Sequence, residues 1–258
     1  MELLLKDLSD GVLTLTLNRP EKRNALNKEL MILLGDALDE AKTDPEVRVI
    51  VIRGNGKSFC SGADLGNLSD VRSNIMVMRE QQSYYGNLLI KLTDCGKPTI
   101  SCVHGHALAG GCGLAVTCDI TFAAESTNFG IPEITRGIWG MMISAPITRL
   151  IGTKKSLELM YTGDWFSAEE AEKMGLINHA VPDDQLESTV YDYAKKLAAR
   201  SPLATSLGRE AVYKIRDMEF YKQISYLRDQ VVILTLTDDA REGIQAFMEK
   251  REPVWSGR

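Results

Sequence analysis

Two glycine-containing turns and one carboxylate have the residue types and spacing that chemistry needs. The first turn is Ser58-Phe59-Cys60-Ser61-Gly62-Ala63-Asp64-Leu65, which follows a β-branched run over 47–53. The second, His104-Gly105-His106-Ala107-Leu108-Ala109-Gly110-Gly111-Cys112-Gly113, leads from the 99–103 run into a helical pattern. Small residues let a ligand approach the main chain, and N–H groups at a helix start point outward, where they stabilise an anion. On glycine content alone, two tight strand-to-helix turns are the favoured reading. The carboxylate is Glu133, in Phe129-Gly130-Ile131-Pro132-Glu133, followed by the apolar Ile138-Trp139-Gly140-Met141-Met142-Ile143. That order predicts a carboxylate beside an apolar pocket, where desolvation raises its pKa towards a general-base range. The plainer alternative is an exposed charge at a turn, because Glu is seldom buried unpaired.

Other chemistries fail on spacing. Gly56-Lys57-Ser58 imitates the end of a P-loop, but the first glycine of that motif would fall on Val51, inside a strand. Gly110, Gly111 and Gly113 do not make a dinucleotide fingerprint, since position 116 is Val, and no Ser stands in a G-x-S-x-G elbow. His104 and His106 have no third ligand nearby in sequence, so no metal site is expected.

The elements that must hold these turns follow from periodicity. Asp10-Gly11 sits between Leu3-Leu4-Leu5 and the alternating run 12–17, which predicts a hairpin leading into a half-buried strand. Leu30, Leu33, Leu34, Ala37, Leu38 and Ala41 make one apolar helical face, and Pro45 follows it. Nearly continuous β-branched or apolar runs at 47–52, 99–103 and 120–124 read as strands covered on both faces, with helical patterns at about 70–94 and 111–117 between them. This alternation argues for an α/β layer architecture. Beyond 143 the pattern is helical: Ser167-Ala168-Glu169-Glu170 is a capping box, a helix runs from Leu186 to Ala198, and two more are expected at 203–217 and 219–249. A soft boundary near 200 separates a core, 1–200, from a helical region, 201–258, too small to be comfortable alone and so expected to pack on the core or on another subunit.

Composition narrows the function further. With 30 Lys and Arg against 35 Asp and Glu in 258 residues, net charge −5, nucleic acid is not an expected partner. No apolar run approaches the roughly 20 residues that cross a bilayer, and the first residues lack a basic signal-peptide region, so a cytoplasmic protein is expected. Five cysteines without C-x-x-C spacing fit reduced, mostly buried thiols.

At the two turns the sequence closely resembles the crotonase family, the enoyl-CoA hydratase/isomerase superfamily. The likeness covers essentially the whole chain, through Asn18-Arg19-Pro20, Asn24-Ala25-Leu26, the run from Phe59 to Leu65, the run from Gly105 to Asp119, Phe129 to Glu133, and Phe247-Met248-Glu249-Lys250-Arg251-Glu252-Pro253. It implies an α/β spiral of ββα units with a helical C-terminal region for assembly and active-site cover. It also implies trimers or paired trimers, an acyl-CoA thioester substrate, and no cofactor beyond the coenzyme A that the substrate carries. By motif position the resemblance puts an oxyanion hole on the N–H groups of Ala63 and Gly110. Fixed donors there would stabilise the enolate left when a proton is removed beside a thioester carbonyl. Arg23, Ala25, Ala63, Asp64 and Leu65 would hold the pantetheine and adenine of CoA, and Lys250 a CoA phosphate, in its own or a neighbouring subunit. Trp139 and Met141 either line the acyl pocket or pack as core.

The chain departs from the family in its acid/base pair. Hydratases of the family carry one Glu at the end of the glycine turn and another in the downstream Pro-Glu motif; here the first position is Gly113 and the second is Glu133. Gly113 is read as leaving room for a bulky or cyclic acyl group. Aryl-CoA dehalogenases of the family have Trp at the Glu133 position and Asp at the Met141 position, and this chain has neither. Glu133 is therefore expected to act alone, either shifting a double bond or hydrating one. The alternative from another class is a non-catalytic CoA-thioester-binding or assembly protein that kept the fold.

Overall fold

The computed structural model describes residues 2–64 and 75–258. The chain opens with an antiparallel hairpin, β1 (Leu4–Ser9) and β2 (Val12–Leu17), turning on Asp10 and Gly11, both at positive φ as a two-residue hairpin requires. Helix α1 (Lys28–Thr43) begins where the Asn27 side chain accepts from the Leu30 N–H, and it returns the chain to β3 (Val49–Gly54), parallel to β2. Helix α2 (Ile75–Asp94) leads to β4 (Thr99–Val103), also parallel.

The inner strands of the first sheet are buried on both faces, and β3 shows why. Ile50 and Ile52 join Leu30, Leu34 and Leu38 of α1 in one core, while Val49 and Val51, pointing the other way, join a second core. A strand of β-branched residues without polar alternation has two apolar faces to cover, and this sheet covers them with helices.

A second, smaller sheet carries the turns. It contains β5 (His106–Leu108), leading directly into α3 (Gly110–Thr117). After β6 (Ile120–Ala124) in the first sheet, β7 (Asn128–Gly130) runs parallel to β5. The helical segment α4 (Met141–Thr162), interrupted by a kink at Gly152, then precedes β8 (Trp165–Ser167), antiparallel to β7. Helix α5 (Ala168–Lys173) starts on the expected capping box, with Ser167 and Glu170 bonding reciprocally. Strand β9 (His179–Val181) closes the first sheet in the order β1-β2-β3-β4-β6-β9. Helix α6 (Leu186–Ala198) packs Leu186, Val190 and Ala194 into the second core.

Three helices follow, where two were expected: α7 (Pro202–Ile215), α8 (Phe220–Thr235) and α9 (Asp238–Glu249). The expected helix at 219–249 is broken because Thr237 leaves helical geometry and its hydroxyl accepts from the Ala240 N–H, capping a new helix. Asp119 fastens α7 to the core. It pairs with Arg209 at 2.7 Å and accepts from the Tyr213 hydroxyl at 2.6 Å, while Arg209 also donates to the carbonyls of Leu92 and Thr93. Buried Asp239 fastens the chain end, accepting from the Ser201 hydroxyl and from the N–H groups of Ser256 and Gly257. All five cysteines are buried and unpaired. No helix among the described residues is long and apolar enough to cross a membrane.

Candidate active site

Residues 59–64 form a ribbon between two other segments. On one side, Leu26 N–H donates to Gly62 O, Asp64 N–H to Leu26 O and Ser61 N–H to Arg23 O. On the other, Cys60 N–H donates to His106 O and Leu108 N–H to Cys60 O. The structure thus brings Arg23, Ala25, Ala63 and Asp64 together. Arg23 is exposed at left-handed φ, just after the short 3₁₀ turn Pro20–Lys22, and Ala25 is buried. Asp64 pairs with Arg19 at 2.9 Å, and the same guanidinium donates to Ala25 O, which ties the two strips of chain together. Leu65 lies outside the described residues.

Two backbone donors remain open at this junction. The bridge to Leu26 uses Gly62 O and Asp64 N–H, so the Ala63 N–H faces away from it; Gly110 is the first residue of α3, where no turn precedes to accept its N–H. Neither finds an acceptor among the described residues. They are neighbours: a Cβ placed on Gly62 would stand 2.9 Å from Leu108 O and 3.2 Å from Gly110 N, so only glycine at φ +93° lets the two turns touch. Ala109, just before Gly110, holds φ 51° and ψ −126°, a conformation uncommon for a residue with a side chain.

Glu133 arrives from the adjacent strand. β5 and β7 run parallel, with Leu108 beside Gly130, and Ala109 N–H donates to Gly130 O; Gly110 and Glu133 therefore both emerge just past the same ends. Pro132 starts a 3₁₀ turn, Pro132–Arg136, that carries Glu133. One carboxylate oxygen, Oε2, is buried with no hydrogen-bond partner, and Oε1 lies 3.2 Å from where a Cβ on Gly140 would be, next to Ile143. Burial raises the Glu133 pKa, against smaller opposing effects of its own backbone N–H and Arg136. A half-buried carboxylate with one oxygen unpartnered, on the strand end next to two open N–H donors, can move a proton while an oxyanion is held.

Position 113 corrects one expectation. Gly113 is buried, and the space beside it is filled: a Cβ there would overlap Ile143 Cγ2 and come 2.5 Å from the Tyr85 hydroxyl oxygen. No room is left there for a bulky acyl group. Tyr85 is the site-lining residue that the spacing of motifs did not reveal, whereas Ile143 belongs to the apolar run expected beside Glu133. The available signal was indirect: a helix beginning Gly-Gly-Cys-Gly has no side chains of its own to cover its first turn, so something else must.

The remaining expected residues are spread out. Trp139 is half-buried against the core, its indole N–H donating to the Ser144 hydroxyl at 3.2 Å and its ring edge-on to Tyr161. Met141 is 73% exposed at the start of α4 and does not pack as core. Lys250 is exposed at left-handed φ just after α9. No group of three or more potential metal ligands occurs among the described residues.

The sequence matches the enoyl-CoA hydratase/isomerase family over residues 7–258, nearly its whole length. The chain belongs to that family. Among its hydratase/isomerase relatives, the 2,3-dehydroadipyl-CoA hydratase of Escherichia coli (strain K12) is 35% identical over all of both chains. The crotonyl-CoA hydratase of Syntrophomonas wolfei is 32% identical, covering 97% of this chain and 96% of its own. The crystal structure of an enoyl-CoA hydratase from Bacillus anthracis superposes with a TM-score of 0.95 over all of both chains at 31% identity. The architecture is accordingly the crotonase-type α/β fold with its helical C-terminal region, and the protein is an enzyme of the hydratase/isomerase family.

Proposed function

We propose that this protein acts on an unsaturated acyl-CoA thioester, with Glu133 as its single acid/base and the N–H groups of Ala63 and Gly110 as the oxyanion hole. The observation that carries the reading is the Glu133 carboxylate: raised in pKa by burial, with one oxygen unpartnered and with open backbone donors on the neighbouring strand end. A protein that only bound CoA thioesters would have no use for a desolvated carboxylate with an oxygen left unpartnered, which costs stability. The favoured reaction is movement of a double bond from the 3- to the 2-position. Glu133 removes a proton from C2, the enolate oxygen rests on the two N–H groups, and the same carboxylic acid returns a proton at C4. These steps need one base, and the closed space at Gly113 leaves no position for a second carboxylate there.

Hydration of a 2-enoyl thioester is the second reading, favoured by relatives that are hydratases of 2,3-dehydroadipyl-CoA and crotonyl-CoA. In either case Arg23, Ala25, Ala63, Asp64 and Leu65 hold the CoA moiety, Lys250 reaches its phosphates, and Trp139 and Met141 border the acyl end. The 201–258 region covers the site and mediates assembly as a trimer or a dimer of trimers. The exposed apolar side chains Phe220, Leu236, Phe247 and Met248 support that role.

Incubation with matched 3-enoyl-CoA and 2-enoyl-CoA in deuterated water, with products read by mass spectrometry and NMR, separates the two. A conjugated 2-enoyl product from the 3-enoyl substrate supports the shift, with deuterium at C4 measuring only how far the proton on Glu133 exchanges with solvent before its return. A 3-hydroxyacyl product from the 2-enoyl substrate supports hydration. Turnover of neither substrate, with CoA thioesters bound, would instead fit the binding protein.

A further inference from the structure

The Tyr85 phenol fills the space where a residue at 113 would begin its side chain, and the question is what it does there. A direct part in proton transfer is disfavoured by position. The oxygen sits at the root of that missing side chain, 2.5 Å from its first atom, whereas a carboxylate reaching substrate would extend several bonds farther. Its proton is already committed, donated to Gly110 O at 2.6 Å. The ring also lies against the same residue, with Cε2 and Cζ 3.5 Å from where a Cβ on Gly110 would be.

Those contacts fix the Gly110 residue and the peptide that follows it, and so bear on the peptide plane just before. The Gly110 N–H belongs to the peptide that joins Ala109 to Gly110, and Ala109 holds the uncommon φ 51°, ψ −126° needed to aim it. Rotation of that plane would let Ala109 relax and would turn the N–H away from the Gly62–Ala63 strip. The plane is anchored before it by Ala109 N–H on Gly130 O, at 2.8 Å, and after it by the Tyr85 hydroxyl on Gly110 O. We infer that Tyr85 is a positioning residue: its hydroxyl and ring hold the Ala109–Gly110 peptide in the orientation that presents the Gly110 N–H to the thioester oxygen. This rests on the oxyanion role proposed above for Gly110.

The test uses acetoacetyl-CoA, whose enolate absorbs in the near ultraviolet and reports oxyanion stabilisation apart from overall affinity. In the full-length wild-type protein, bound acetoacetyl-CoA should show the enolate band. Tyr85→Phe keeps the ring and removes one hydrogen bond, so the enolate-to-keto ratio of the bound ligand should fall about tenfold. Free CoA should bind within twofold of wild type, and kcat on the productive enoyl thioester should fall about tenfold with KM little changed. Difluorotyrosine incorporated at position 85 retains ring and donor and should restore the band, even if the Phe variant proves too unstable to measure. Tyr84→Phe, which loses a surface bond to Glu80 on the same helix, should match wild type. An unchanged enolate ratio in Tyr85→Phe, or failure of difluorotyrosine to sustain the band, overturns the positioning role alone. Absence of the band in wild type overturns the oxyanion assignment and this inference with it.

Discussion

At Glu133 the same desolvation that suits a base also sets a pH dependence of stability. Its native pKa is raised, so between the unfolded and native values the native state binds more protons, and unfolding free energy falls as pH rises through that interval. Below the interval the carboxyl is neutral in both states and the penalty vanishes. Glu133→Gln should therefore melt higher than wild type at pH 7 and equal to it near pH 3, read by calorimetry, while turnover falls by at least about 10²-fold. A variant no more stable at pH 7 would mean that the buried carboxylate carries no penalty. The candidate residues are proposed from local motifs, Glu133 from its place after Pro132 and Ala63 and Gly110 from the family resemblance of the turns around them. Tyr85 had none, because its contact with Gly110 joins positions 25 residues apart on different helices and exists only once the fold brings those helices together.

Among elements, the Arg209–Asp119 pair between α7 and the core is the contact whose loss should be felt most. Both side chains are largely buried, and Arg209 also serves two carbonyls. Arg209→Met would leave Asp119 and those carbonyls without that donor, a loss of about 3–5 kcal/mol for a broken buried pair. Tyr213→Phe, removing a single bond to the same carboxylate, should cost about 1.5–3 kcal/mol. Urea titrations of both variants measure these losses, and equal stability of Arg209→Met and wild type would show that the pair does not hold α7. Elements were legible where a run was long enough to carry a period: the strands at 99–103 and 120–124 and the helix at 186–198 stand at the expected residues. β5, β7, β8 and β9 have three residues each, too few for any alternation to register. Thr237 reads as one more residue of a continuous helical pattern, because its cap is set by backbone geometry and not by periodicity.

For the whole molecule, the apolar side chains left exposed on α8 and α9 predict self-association. Phe247, 84% exposed, should be a principal contact, so Phe247→Asp should shift the sedimenting species towards the 28.6 kDa monomer while the far-ultraviolet circular dichroism stays unchanged. A wild type that already sediments as a monomer would remove the assembly role from this surface. The five buried thiols provide a different kind of measurement. Burial pushes Cys60, Cys102 and Cys112 up to about 12 and raises Cys95 and Cys118, so none offers thiolate to an alkylating reagent while the fold is closed. Each is then a clock that runs only during local opening, at a rate set by the opening equilibrium and the chemistry of the free thiol. Their positions divide the molecule among them: Cys60 and Cys112 at the two turns, Cys95 and Cys118 near Arg209, and Cys102 in the core beneath α6. Timed alkylation resolved by peptide mass should find that a bound thioester slows Cys60 and Cys112 alone, and that Arg209→Met quickens Cys95 and Cys118 ahead of Cys102, so that one unlabelled protein reports the breathing of three separate regions.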